Sequence, residues 1–220
     1  MIQHIATIKS CECAWCGIVD CSVIGFVGNL GRFSVSLRIS GGYLKGRKLE
    51  SPKDGLGVRP TTERVKLAIF SVIGTGGVEG KKCLDLFACT GALGIEALSR
   101  DAKSCDFVEK SYRNYKLINR NLRGLEISNT SRVFCKDSKG FLGQSEGGYG
   151  LVLLDPPFAM SDWDKLMGLI ASPKIVDEEG ITVAEHPAGT VLKNEYGPLK
   201  RFSKKRYGDS EVSFYGGRHG

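Results

Sequence analysis

From Cys83 onward, short apolar runs alternate with helix-length segments, and this rhythm constrains the fold more than any other feature of the chain. Runs of strand length stand at Cys83 to Phe87, Cys105 to Glu109, Arg132 to Cys135, Leu151 to Leu154 and Ile181 to Glu185. Helical patterns separate them at Ala92 to Ser99, Tyr112 to Leu122, Ser138 to Leu142 and Asp162 to Ile170. A strand, a helix and a further strand return to one sheet by a right-handed crossover, so the spacing predicts a mostly parallel sheet with helices on both faces. The tail departs from the rhythm. Leu199 to Tyr207 and Glu211 to Tyr215 oppose each other across Gly208-Asp209, which predicts an antiparallel hairpin and brings the strands to seven.

Ahead of this α/β region, Leu37 to Gly41 and Arg47 to Leu49 read as a short β-hairpin joined through Gly41-Gly42 and Lys45-Gly46. A loop rich in Pro and Gly follows, Ser51 to Pro60. A helix then starts at Thr61 or Thr62, either able to cap it, places Val65, Ile69, Val72 and Ile73 on one face, and ends at Gly74, Gly76 and Gly77. The chain thus divides into residues 1–34, a basic hairpin and loop over 35–60, and an α/β domain over 61–220. Residues 1–34 have weak periodicity and stand open between a disordered lead and an artefact of the assigned start. They hold Cys11, Cys13, Cys16 and Cys21, whose spacing matches no pair of zinc knuckles, so no metal is expected. Cys83, Cys89, Cys105 and Cys135 lie in or beside apolar segments, as small core residues do. With no leader pattern, this cysteine usage fits a reduced, cytoplasmic setting.

Of 220 residues, 41% are apolar, enough for a proper core, and no apolar stretch reaches the length of a membrane span. The net charge of +7 is unevenly placed. Residues 36–69 carry eight Lys/Arg against three Asp/Glu, and residues 191–220 carry seven against three, so two basic segments flank a slightly acidic middle. Solvated faces usually mix signs, and such segments suit a polyanion.

Acidic residues end successive strands. Asp85 precedes the turn Phe87-Ala88-Cys89-Thr90-Gly91, and Glu109 and Asp137 follow the next two strands. Ligands in open α/β sheets bind beyond the strands' carboxyl ends, although each carboxylate alone is more often a helix cap or a solvated loop residue. Gly91 and Gly94 allow backbone to approach a ligand, and the turn is not G-x-G-x-x-G. After the fourth strand comes Asp155-Pro156-Pro157-Phe158. This tetrapeptide presents a carboxylate, free carbonyls and an aromatic face together, a set that can hold the planar amine of a nucleobase. A strand stopped at a Pro-Pro turn and capped by a core Phe is the alternative.

The combination resembles class I S-adenosylmethionine-dependent methyltransferases, which have a Rossmann-like fold. More narrowly, it is similar to the bacterial family that methylates N2 of guanine 966 in 16S ribosomal RNA. Arg38-Ile39-Ser40-Gly41-Gly42, Gly46-Arg47-Lys48-Leu49, Arg59-Pro60-Thr61-Thr62-Glu63-Arg64-Val65, Asp85 to Arg100 and Asp155 to Phe158 carry the likeness, in the family's order, over about Leu37 to Tyr215. The resemblance implies that Asp85, Ala88, Thr90 and Gly91 surround the methionine part of the cofactor, that Glu109 binds the ribose hydroxyls, and that Asp137 and Ser138 face the adenine. It puts Arg59 and Thr61 near the same pocket. Asp155 and the Pro156 carbonyl would accept hydrogen bonds from the guanine amine, Pro157 would shape the turn and Phe158 would stack on the base. The implied reaction is direct displacement at the sulfonium methyl, with no metal and no covalent intermediate. Arg38, Lys45, Arg47 and Lys48 are the expected RNA contacts, and small-subunit ribosomal RNA or the assembling subunit is the expected partner. Cys89 and Thr90 stand where smaller residues are expected. An adenine-N6 methyltransferase and an inactive RNA-binding assembly factor remain the competing readings.

Overall fold

A computed structural model describes residues 37–52 and 63–217. The alternating runs form β1 (Lys82–Leu86), β2 (Ser104–Val108), β3 (Ser131–Phe134), β4 (Tyr149–Leu154) and β5 (Val176–Pro187). The tail adds β6 (Glu195–Tyr196), β7 (Leu199–Tyr207) and β8 (Ser210–Gly216). One eight-stranded sheet results, in the order β3-β2-β1-β4-β5-β8-β7-β6. The first five strands pair parallel, and β8, β7 and β6 pair antiparallel. The fold is Rossmann-like, as expected, with one strand more than the seven predicted. The addition, β6, is two residues long, too short for any periodicity to register.

The helices are α1 (Glu63–Ile73), α2 (Ala92–Ser99), α3 (Tyr112–Gly124), α4 (Ser138–Leu142) and α5 (Trp163–Ile170). Strand alternation sorts the apolar side chains between two cores. Cys83, Phe107, Leu151, Leu153, Val183 and Phe214 meet α1, α2 and α3 on one face, while Leu84, Leu86, Val152, Leu154 and Ala184 meet α4 and α5 on the other. β4 is buried at all six positions, which is why it reads as an unbroken apolar run rather than an alternation. On α5 the buried residues Trp163, Leu166, Met167 and Ile170 recur at helical spacing. Gly94 is set by packing: an added Cβ would sit 2.4 Å from Phe107 and 2.7 Å from Cys105 Sγ. It seats α2 on β2.

The predicted N-terminal hairpin contracts to a single antiparallel bridge, Arg38 with Lys48. The Leu49 amide donates to Leu37 O (2.8 Å) and the Ile39 amide to Arg47 O (3.0 Å). Its tip binds the carboxyl end of α2, where the Tyr43 amide donates to Ser99 O and the Leu44 amide to Ser99 Oγ. Gly42, at φ 75°, has no room for a side chain, since a Cβ would lie 1.6 Å from Ser99 O. Below the tip is a buried ionic cluster. Glu96 accepts from the Ser40 amide and hydroxyl (both 2.8 Å), from Lys66 Nζ (3.3 Å) and from Arg100 (3.0 Å). Lys66 also donates to Arg38 O (2.6 Å). Lys66 and Glu96 are fully buried, so the hairpin, α1 and α2 are joined through charges that cannot reach water.

Candidate active site

Because the order runs outward from β1 to β3 and then resumes at β4 on the other side of β1, the sheet has a topological switch point between β1 and β4. At the carboxyl ends of these strands opens a cavity of about 1460 Å³. Its walls include Cys89, Glu109, Asp137, Ser138 and all four residues Asp155, Pro156, Pro157 and Phe158. The structure therefore brings the tetrapeptide together with two of the three strand-end carboxylates. Phe158 keeps 43% of its surface exposed, an aromatic at the rim rather than a core plug.

The β1 to α2 turn is strained and heavily tied. Phe87 (φ 71°), Cys89 (φ 53°) and Gly91 (φ 80°) all lie in the left-handed region, which only glycine enters cheaply. Backbone bonds hold the shape, with the Phe87 and Ala88 amides donating to Val108 O and the Gly91 amide to Ala88 O. Glu109 Oε2 accepts from the Cys89 amide (3.0 Å), and its Oε1 accepts from the Ser111 amide (2.7 Å). Asn121 Nδ2 donates to Thr90 O (3.0 Å) and to Glu50 O (3.2 Å), binding this turn to the end of the N-terminal hairpin. Asp85 in β1 and Ala88 and Thr90 in the turn are buried and are not part of the cavity wall.

Asp85 Oδ2 accepts from the Gly94 amide (2.8 Å). Burial pushes its carboxyl up to about 7, against that hydrogen bond and with the charges of Asp155 and Glu109 adding to the rise. Burial likewise pushes the Cys89 thiol up to about 12, which favours the neutral thiol in the cavity wall. Of the four cysteines expected in the core, Cys83 and Cys105 are buried, Cys89 lines the cavity and Cys135 is exposed. Asp137 is the N-cap of α4, its Oδ1 accepting from the Gly140 amide (2.9 Å), and it also faces the cavity. Asp137 thus caps a helix and stands at the cavity wall at once.

Sequence reasoning did not single out Phe87, Lys110, Ser111, Asn114, Glu185, Arg206 or Tyr207, all of which line the cavity. The β4–β5 register pairs Leu154 with Ala184, which sets Asp155, just past the end of β4, beside Glu185 of β5. Glu185 was legible as the last residue of its strand; the side-by-side pairing was not. Arg59, Thr61, the cap at Thr61 or Thr62 and the Cys11 to Cys21 cluster lie outside the described residues.

The expected RNA contacts lie elsewhere in the fold. Arg38, Lys45, Arg47 and Lys48 are exposed, and the Arg38 and Arg47 guanidinium groups donate to Gly46 O (2.8 Å) and Gly124 O (3.0 Å). Ser99 and Gly124 close α2 and α3 just ahead of β2 and β3, so the hairpin tip sits at the amino ends of the strands, opposite the cavity. No group of His, Cys, Asp and Glu among the described residues is arranged to hold a metal ion, and no helix among them is long and apolar enough to cross a membrane.

The sequence profile of a family described as Conserved hypothetical protein 95 matches residues 37–216. YlbH of Bacillus subtilis (strain 168), provisionally named an rRNA methyltransferase, is 36% identical over 182 residues, covering 81% of this chain and 98% of the relative. Ribosomal RNA small subunit methyltransferase D of Escherichia coli (strain K12) is 35% identical over 152 residues, covering 69% of this chain and 75% of the relative. Among solved structures, yhhF of Escherichia coli, provisionally named a methyltransferase, superposes with a TM-score of 0.74 at 27% identity, over 83% of this chain and 98% of that one.

Proposed function

The chain belongs to the conserved hypothetical protein 95 family and is a member of the bacterial 16S rRNA methyltransferase family, and from that premise we propose that it methylates the exocyclic N2 amine of a guanine in small-subunit ribosomal RNA, using S-adenosylmethionine. One observation carries the reading: Asp155-Pro156-Pro157-Phe158 follows β4, beside the switch point, and lines a cavity whose wall also carries Glu109, Asp137 and Ser138.

The residues present fit the cofactor. Glu109 commits its two oxygens to the Cys89 and Ser111 amides, yet a carboxylate has about four lone-pair sites, so capacity remains for ribose hydroxyls. Ser138 and the neighbouring Asp137 suit a purine edge, and the buried carboxyl of Asp85 lies under the turn where an ammonium group is expected. Ala88, Thr90 and Gly91 supply the close backbone of that turn. S-adenosylmethionine, when bound, supplies an activated methyl group on a sulfonium.

The chain's own residues then have a positional task. Holding two reactants in a near-attack arrangement lowers a barrier by roughly 7 to 11 kcal/mol, so no metal or covalent intermediate is required. The Asp155 carboxylate and the Pro156 carbonyl accept from the amine and favour a more tetrahedral nitrogen, Pro157 fixes the turn, and Phe158 stacks on the base. Asp155 needs no great basicity, because the amine proton becomes acidic only as methylation proceeds. Guanine offers N1–H beside its N2 amine, whereas adenine has an acceptor in that place. The adjacent carboxylates Asp155 and Glu185 favour the base with more donors.

Protein incubated with labelled cofactor and small-subunit RNA, followed by digestion to nucleosides, should yield label in N2-methylguanosine. Label in N6-methyladenosine would overturn the base assignment. Asp155→Ala should lower transfer by at least about 100-fold, the scale of removing one positioned polar group, while S-adenosylhomocysteine affinity measured by calorimetry stays near the unmutated value. Loss of that affinity would move Asp155 from the base to the cofactor.

A further inference from the structure

The basic segment at 191–220 has no part in the cavity chemistry, and its placement suggests what it does. β7 reads Leu-Lys-Arg-Phe-Ser-Lys-Lys-Arg-Tyr, five cations in nine residues. It runs parallel to β5, since both pair antiparallel with β8, so its last residues arrive at the cavity, where Arg206 and Tyr207 form part of the wall. Its outer neighbour β6 pairs only with Leu199 and Lys200. From Phe202 onward no strand covers the outer edge of β7 among the described residues. Nine residues of strand span about 30 Å. The strand is thus an open, positively charged ribbon that leads from the side of the molecule to the mouth of the candidate active site.

Among the five cations, Arg201 is tied to the segment ahead of the strand, its guanidinium donating to Leu192 O (3.2 Å) and to Asn194 Oδ1. Lys204 pairs with Glu211 (3.0 Å), and Lys200 lies 3.6 Å from Glu195 with both side chains more than half exposed. Lys205 is exposed, and the Arg206 guanidinium donates only to Gly208 O (3.1 Å) among the described residues. Phe202 is 40% exposed between the cations, resting one side against Phe214. Cations interleaved with an aromatic face suit a single nucleic-acid strand, with phosphates on the lysines and a base on the ring.

We propose that β7 is the track on which the RNA strand flanking the target nucleotide docks. This rests on the functional reading above and adds to it the path of the substrate. The test is equilibrium binding of protein-free 16S rRNA across a potassium chloride series. Lys200 and Lys205 lie outside the cavity wall, so Lys200→Gln with Lys205→Gln should leave S-adenosylhomocysteine affinity intact. The log–log salt slope should fall by about 1.4, two phosphate contacts at roughly 0.7 each on a single strand. A control pair of exposed lysines, Lys103→Gln with Lys174→Gln, should leave the slope in place.

An unchanged slope for the β7 pair, or an equal fall for both pairs, would overturn the track. Lysines on an open edge also keep sheets from pairing edge to edge. If that were their whole role, the double variant would self-associate in sedimentation while its RNA slope stayed fixed, which counts against the proposal. A wild-type protein whose RNA binding depends on β7 but which transfers no methyl would sink the reaction and leave the track standing.

Discussion

Asp85 shows how a single side chain reports on the state of the site. It is 2% exposed, and burial raises its carboxyl to about 7 from the ordinary 3.8. The folded state therefore binds this proton more tightly than the unfolded chain does. Between about pH 4 and pH 7 the native protein carries the extra proton, so the stability contributed by this group is full at the acid end and falls as pH rises through that window. About three pH units of difference correspond to a loss on the order of 4 kcal/mol. Asp85→Asn keeps the shape without the ionisation, so its urea midpoint should decline less than that of the wild type between those limits. A parallel decline in both proteins would show that Asp85 ionises freely in the fold. A cationic ligand reverses the penalty, and cofactor affinity should accordingly rise with pH towards about 7 and then level off, with proton release visible in buffers of different ionisation enthalpy.

At the scale of elements, strands and helices were largely legible because burial on one or both faces writes a period into the sequence. β4 appeared as Leu151 to Leu154 and extends only to Tyr149, and the tail hairpin turns at Gly208-Asp209 as its residues require. What stayed hidden has no local period. The two-residue β6 exists because β7 offers it an edge, and the expected hairpin strands reduce to one bridge because the tip is held by Ser99 and Glu96 rather than by its own ladder. The site followed the same rule. Asp155 to Phe158 announced themselves by residue type, whereas Glu185 joined them only through the β4–β5 register. Lys66 is the plainest case: the apolar face predicted for its helix, Val65, Ile69, Val72 and Ile73, gave no warning that a lysine beside it is fully buried against Glu96. Removing one member of a buried pair leaves an uncompensated charge, so Glu96→Leu should destabilise by about 3 to 5 kcal/mol in denaturant unfolding. Adding Lys66→Met should recover much of that loss, since the pair gives up desolvated charge for apolar contact. A double variant no better than Glu96→Leu would mean that the bonds to Ser40 and Arg100, not the ion pair, hold α1, α2 and the hairpin together.

For the whole molecule, the two basic segments resolve into two places. The β7 ribbon leads to the cavity at the carboxyl ends of the strands, while Lys45, Arg47 and Lys48 sit on the hairpin tip at the amino ends. A short RNA that fills the cavity and lies along β7 has no reason to reach the tip. A long, folded RNA can pass around the side of the sheet and meet both. The chain should then distinguish substrates by size: full-length small-subunit RNA should bind with a steeper salt dependence than a short hairpin bearing the target guanine. Replacing Lys45, Arg47 and Lys48 with Gln should remove about 2 from the slope for the long RNA, three contacts at roughly 0.7 each, and leave the short one unchanged. An equal effect on both RNAs would place the hairpin tip against the target itself. No effect on either would confine the footprint to the cavity end, and the residues 36–69 excess would then be a solvated face whose charge serves the fold rather than the substrate.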